Sequence, residues 1–139
     1  MRPTITEQLD GLRRILAEVV APEVEAPYPA EILGSVIGAL DALRDNWFRI
    51  PGYLAWEVRS IQAILAAAGL EHDIAGIETE DLRALEELQM RISGLLVRAQ
   101  PAITADKDGE AYRLMVRFFR ERAEKFPFAM AARPAKKAD

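Results

Sequence analysis

Apolar residues in this chain recur every three or four positions in five separate stretches, and prolines or glycines stand between them. A spacing of three and four places those residues on one side of an α-helix. No stretch sustains the period of two that a half-buried strand requires, so a sheet is not expected. Amphipathic helices joined by short loops bury their stripes most simply against one another. The predicted fold is all-α, an antiparallel bundle of about five helices.

The first segment runs from Ile5 to Val20 with Leu9, Leu12, Ile15, Leu16, Val19 and Val20 on its stripe. Thr4 and Glu7 have capping-box spacing, so each side chain can satisfy a free backbone donor of the other. Pro22 ends this helix. The second opens at Pro29 and reaches Trp47, with Ile32, Val36, Leu40 and Leu43 at helical spacing. Pro51 opens the third, whose seam is Leu54, Val58, Ile61, Leu65 and Ala68, and Gly69 is placed to cap its end. Thr79 is expected to cap the fourth, with Leu82, Leu85, Leu88, Ile92, Leu95 and Leu96 inward and Pro101 closing it. A turn over Asp106-Lys107-Asp108-Gly109 leads to a fifth helix from Glu110 to Lys125. That helix carries Tyr112, Met115, Val116, Phe119, Ala123 and Phe126 on one face, and Pro127 follows it. Residues 1–127 are read as one helical domain and 128–139 as a disordered tail.

With 139 residues, half of them hydrophobic and 29% charged, the chain can close a core without staples. It has no cysteine, which excludes disulfides, thiol catalysis and thiolate-held metals. The longest low-charge run, Ile32 to Leu40, is far short of a membrane span. The opening residues carry charge throughout, unlike a secretory leader. A cytoplasmic protein is expected, with no membrane or nucleic-acid partner, no cofactor and no metal.

The catalytic inventory is thin. His72 is the only histidine and falls in a loop, where a surface role is expected. Acidic pairs such as Glu86-Glu87 read as solvated helix faces, and no phosphate loop or nucleophile elbow is present. Three features could instead bind something. Gly34, Gly38 and Ala42 form a ladder of small residues, with Ser35, Ala39 and Ala42 beside it. Small residues at helical spacing let another helix approach closely, and packing inside the bundle is the expected use. On that reading Gly38→Leu destabilises the fold.

The lead-in from Asn46 to Trp56 holds both tryptophans and Tyr53, either as an end plug of the bundle or as a binding surface. Trp56 also heads a second stripe, Ser60, Ala63 and Ala67, which either a helix of the same chain or a partner could cover. Arg113, Arg117 and Arg120 share one face of the fifth helix, either solvated beside the acidic fourth helix or gripping an anion. Trp47, Tyr53, Trp56, Arg113, Arg117 and Arg120 are therefore the candidate binding residues. No catalytic residue is assigned, although a buried Glu57 or Asn46 could support one.

The opening RPTITEQLDGLRRILAEVVAPEV resembles the start of a family of small bacterial helical proteins of unknown function. There an Arg-Pro-Thr opening, here Arg2-Pro3-Thr4, leads into an acidic amphipathic helix that ends near a proline. The blocks YPAEILGSVIGALDAL, LRALEELQMRISGLL and EAYRLMVRFFRERAEKFPF are compatible with later helices of that family. Members are often encoded beside aminoglycoside-phosphotransferase-like kinases and acyl-CoA dehydrogenases. The resemblance implies an accessory role near such an enzyme and assigns no catalytic residue.

Two functions are expected from these features. The first is a non-enzymatic helical interaction module, acting as a homodimer that buries Trp56 or as an accessory subunit. The alternative is a binder of a small acyl or phosphate-bearing ligand, held in a gap between helices.

Overall fold

A computed structural model describes residues 2–74 and 81–127. Among the described residues the regular structure is all helical, 83% in extent, with no strand, as the periodicity requires. The elements are α1 (Ile5–Ile15), α2 (Pro27–Asn46), α3 (Ile50–Ala67), α4 (Leu82–Ala105) and α5 (Glu110–Lys125). α1 continues through a π-helical turn, Leu16–Val20, and a 3₁₀ turn, Ala21–Glu23. A 3₁₀ turn over Trp47–Arg49 joins α2 directly to α3, so the helices form four separate runs rather than about five.

The chain divides into two compact units, one built on the residues up to Trp47 and the other spanning Phe48–Phe126. The first is a hairpin of α1 and α2. Thr4 caps α1 with the full capping box: its Oγ1 accepts from the Glu7 amide at 3.2 Å, and the Glu7 carboxylate accepts from the Thr4 amide at 2.7 Å. α2 begins at Pro27, two residues before the expected Pro29, because both prolines fit the first helical turn, where amide hydrogens have no helical partner. The seam between the helices carries ion pairs, Arg13 with Asp41 at 3.0 Å and Arg44 with Asp10 at 3.0 Å. The Trp47 indole donates to Thr6 Oγ1 at 3.1 Å. The descending partner numbers mark an antiparallel pair.

The second unit is a three-helix assembly. Val58, Ile61, Ile64 and Leu65 of α3 interlock with Ile92, Leu96, Ala99 and Ile103 of α4 and with Ala111, Met115 and Phe118 of α5. Gly69 ends α3 with φ +71°, the left-handed conformation that glycine adopts without strain. Leu70 N donates to Leu65 O across it, at 2.9 Å. In the loop that follows, the Ile74 amide donates to His72 Nδ1 at 3.2 Å, and Gln62 donates to the Ile74 carbonyl at 3.4 Å. Those two bonds hold the Ile74 side chain in the core, so His72 has a structural task rather than a free surface.

Two further boundaries and one buried face differ from the sequence reading. Asp81 caps α4, accepting from the Arg83 and Ala84 amides, while Thr79 lies outside the described residues. Pro101 does not close α4, which continues to Ala105. A proline ring removes the bond to the carbonyl four residues back, here that of Val97. Val97 is 64% exposed and Pro101 is exposed too, so water can satisfy that carbonyl. In α5 the buried aromatic is Phe118, not Phe119, which is 39% exposed. Both neighbours are phenylalanine, so hydrophobicity alone does not choose between adjacent faces.

Candidate functional site

α3 carries Tyr53 and Glu57 one turn apart, on the same side of the helix. Glu57 is the one charged residue fully buried among the described residues, at 1% exposure. Both of its oxygens are engaged. Oε1 accepts from the Tyr53 hydroxyl at 2.5 Å and pairs with Arg122 Nε of α5 at 2.8 Å. Oε2 accepts from Gln89 Nε2 of α4 at 2.7 Å, and the same Gln89 amide reaches Ser93 Oγ at 3.1 Å. One carboxylate thus ties together all three helices of this unit.

A buried carboxylate with fully satisfied lone pairs stabilises specific helix pairing only while every partner stays in place. Burial and the hydrogen bond to Glu57 push the Tyr53 hydroxyl up to about 12, so it stays a donor at neutral pH. Burial works against the charge of Arg122, but its hydrogen bond to Tyr53 and the Glu57 charge hold its pKa above the ordinary value. A general acid or base needs a proton site open to a substrate. Every oxygen of Glu57 already has a protein donor, so the cluster fits a structural clasp better than a catalytic centre.

Beside the clasp lies an aromatic shelf. The Trp56 ring stacks on Phe118 at 5.5 Å, Tyr53 lies 5.8 Å from Trp56, and the Lys125 ammonium sits 4.6 Å above the Trp56 ring. An open cleft of about 360 Å³ is lined by Arg49, Gly52, Tyr53, Trp56 and Lys125. Further along, Ser60 and Ala63 of the Trp56 stripe face Leu114, Arg117 and Phe118 across a smaller hollow. α5 therefore reaches only part of the second stripe of α3: Trp56 stacks on Phe118 and Ser60 is half-buried, while Ala63 and Ala67 stay exposed.

The predicted binding residues do not come together. Tyr53 and Trp56 share the cleft, whereas Trp47 belongs to the hairpin unit through its bond to Thr6. The aromatic lead-in thus divides between the two units, Trp47 in one and Tyr53 and Trp56 in the other. Asn46 bonds back to the Ala42 carbonyl at 2.9 Å, an ordinary helix-end contact. Arg113 donates to the Asp108 carbonyl at 2.9 Å, Arg117 borders the small hollow, and Arg120 is exposed. The cationic side chains beside the aromatic groups are instead Arg122 and Lys125, one helical face away. Only the spacing of Tyr53, Glu57 and Gln89 on inward faces hinted at the clasp, and the identity of its cation was not legible.

The hairpin presents a different kind of surface. None of its side chains is fully buried. Ile5, Leu12, Ile15 and Val19 of the first helical run and Ile32 and Val36 of α2 expose 43–63% of their surface. A Cβ built on Gly34 or Gly38 meets nothing within 4 Å, so the small-residue ladder is not a close crossing inside the chain. The expectation that it packs within the bundle is overturned: two helices do not wrap around α2, and its small-residue side stays open. Among the described residues no group of acidic or histidine side chains could hold a metal ion, and no helix is long and apolar enough to cross a membrane. Compared with known families, curated proteins and solved structures, the chain matches none of them, so the resemblance carried by Arg2-Pro3-Thr4 stands on those residues alone.

Proposed function

We propose that this chain is a non-enzymatic helical interaction module, working in the cytoplasm, whose α1–α2 hairpin docks onto another protein surface. One observation carries this reading: the apolar stripes of both hairpin helices are uncovered. Apolar area left in water costs roughly 25 cal/mol per Å² relative to burial, so an extended uncovered stripe favours a partner. Its partner class includes an accessory role beside a kinase or acyl-CoA enzyme, which the family resemblance implies. The test is a photo-crosslinking residue at Val36, with Met90 as the control. Met90 is just as accessible, at 72% exposure, but sits on α4. Protein crosslinks from Val36 and none from Met90 are expected in native cells. Val36 and Leu12 both silent would overturn the module.

A second reading, a small-molecule binder, is favoured by the cleft of Arg49, Tyr53, Trp56 and Lys125, which pairs cations with aromatic faces. It suits a small anion with a planar body rather than a long acyl chain, because the cleft is short and open. Titrating aromatic carboxylates against Trp56 fluorescence in a Trp47→Phe background tests it. No saturable change would remove it.

A further inference from the structure

We propose, on the reading of the hairpin as an interaction surface, that its partner is the same hairpin of a second copy of this chain, the four helices closing into an intermolecular bundle. The geometry of the hairpin supports this in three ways.

The first is the direction of the stripes. A helix turns about 100° per residue, which sets Ile5, Leu12 and Ile15 within about 80° of one another on α1. The seam residues Thr6, Asp10 and Arg13 lie to one side of that stripe. On α2, Ile32, Val36 and Ala39 share a face, and the seam residues Asp41 and Arg44 lie to one side of it. The two helices are antiparallel and both right-handed, so the stripes emerge on the same side of the hairpin. Arg14 and Asp45 lie on the opposite side. The hairpin is therefore a two-helix layer, apolar on one side and charged on the other, and a layer of that kind is completed by a second helical layer.

The second is the relief of that side. Ser35 and Ala39 are exposed and border Ile32 and Val36. The Ser35 hydroxyl already bonds to the Glu31 carbonyl at 3.2 Å, so it asks for no further partner. Small side chains beside large ones form the hollow-and-ridge surface into which another helix packs. Because a twofold pair brings each patch against its own copy, the ridges of Ile32 and Val36 can meet the hollows of Ser35 and Ala39.

The third is area. The six exposed side chains present on the order of 500 Å² of apolar surface before half-buried Leu9, Leu16 and Leu43 are added, against roughly 800 Å² per partner in a standard interface and under about 400 Å² in incidental contacts. The hairpin alone approaches what a stable dimer buries.

The test uses the full chain. Sedimentation should show a dimer at about 100 μM, and Leu12→Glu should raise the dimer dissociation constant about thirtyfold or more, while Met90→Glu leaves it unchanged. Near-ultraviolet circular dichroism reports whether each variant folds, through Trp47 for the hairpin and Trp56 for the three-helix unit. A second measurement does not depend on Leu12: the chain has no cysteine, so Ser35→Cys takes a single spin label. Pulsed electron resonance should then find a discrete distance between copies. A wild-type monomer at that concentration, or a dimer broken by Met90→Glu and not by Leu12→Glu, would overturn self-pairing. A monomer whose Val36 still crosslinks to other proteins removes self-pairing alone and leaves the module reading standing.

Discussion

The two units of this chain are built from the same material, amphipathic helices of ordinary length, and reach opposite outcomes. α3, α4 and α5 enclose a core in which Val58 and Ile92 have no exposed surface. α1 and α2 enclose nothing, and their tightest links are ion pairs on a half-exposed seam. The difference is one of number. A helix in a three-helix assembly has two neighbours and can bury a broad stripe, whereas a helix in a hairpin has one and buries a narrow edge. An apolar stripe therefore records that a surface is to be covered, not that the chain covers it itself.

The largest effect should come from the closed unit. Ile92→Ala removes a side chain with no exposed surface and is expected to cost about 2–5 kcal/mol in denaturant unfolding. Ile15→Ala in the hairpin, measured at concentrations too low for association, should cost about 1 kcal/mol or less, as for a half-solvated site. Equal losses at the two positions would erase the distinction between a closed and an open unit.

The clasp sharpens the contrast next. Glu57→Ala leaves Tyr53, Gln89 and Arg122 without their shared acceptor and should cost about 2–4 kcal/mol, discounted for the partial exposure of Arg122. The surface pair Arg91–Asp73 at 3.0 Å should be worth about 0–1 kcal/mol. Tyr53 adds a pH signature. Its folded pKa is raised from 10.0 to about 12, so its contribution is complete below the unfolded value and is lost as pH rises through about 12. A spectrophotometric titration should show a late ionisation near pH 12, and Tyr53→Phe should remove that step. Absence of that late step would mean that the clasp is open to water.

Much of this architecture could be read from residue order, and the failures have physical causes. The capping box of Thr4 and Glu7, the seam of Val58, Ile61 and Leu65, and the Gly69 cap depend on neighbours within a few residues, which a sequence displays directly. Pro101 was misread because a proline's cost depends on whether the orphaned carbonyl meets water, a tertiary matter. Phe118 and Phe119 are chemically identical, so the choice between them awaits the position of α3. The Arg122–Glu57 pair joins residues far apart in sequence, and four other arginines or lysines of α5 are equally plausible partners by charge. The small-residue ladder is legible in the sequence, but its spacing says only that a helix can come close, not which one or from which chain.

That ladder supplies the next prediction. Gly34 faces open space on α2, so Gly34→Ala should stabilise the hairpin by up to about 1 kcal/mol through helix propensity alone. Gly38→Ala should gain in the same way, because a Cβ there also meets nothing within 4 Å. A lower melting temperature for either variant would place a neighbour against α2 and narrow the difference between the units.

The smallest effect belongs to the first turn of α1, where the hairpin has no core to hold its end. The backbone and side-chain hydrogen bonds of Thr4 hold the Glu7 carboxyl below its ordinary pKa of 4.5. A group depressed in the folded state contributes stability above its unfolded pKa and loses it as pH falls through the folded value. Acidification should therefore loosen the start of α1 before it disturbs the three-helix unit. Amide exchange is the suitable probe, because it reads each helix end separately and is sensitive to fraying too slight for calorimetry. The Glu7 and Gln8 amides, one donating to the Thr4 hydroxyl and the other to the Thr4 carbonyl, should exchange faster as pH falls below 4.5, after correction for intrinsic rates. Glu7→Gln keeps the shape but removes the charge that favours a helix N-terminus, and it should flatten that pH dependence. If the wild-type amides respond to acid no more than those of α3, the box is not titrating, and the hairpin end is held by contacts other than its cap.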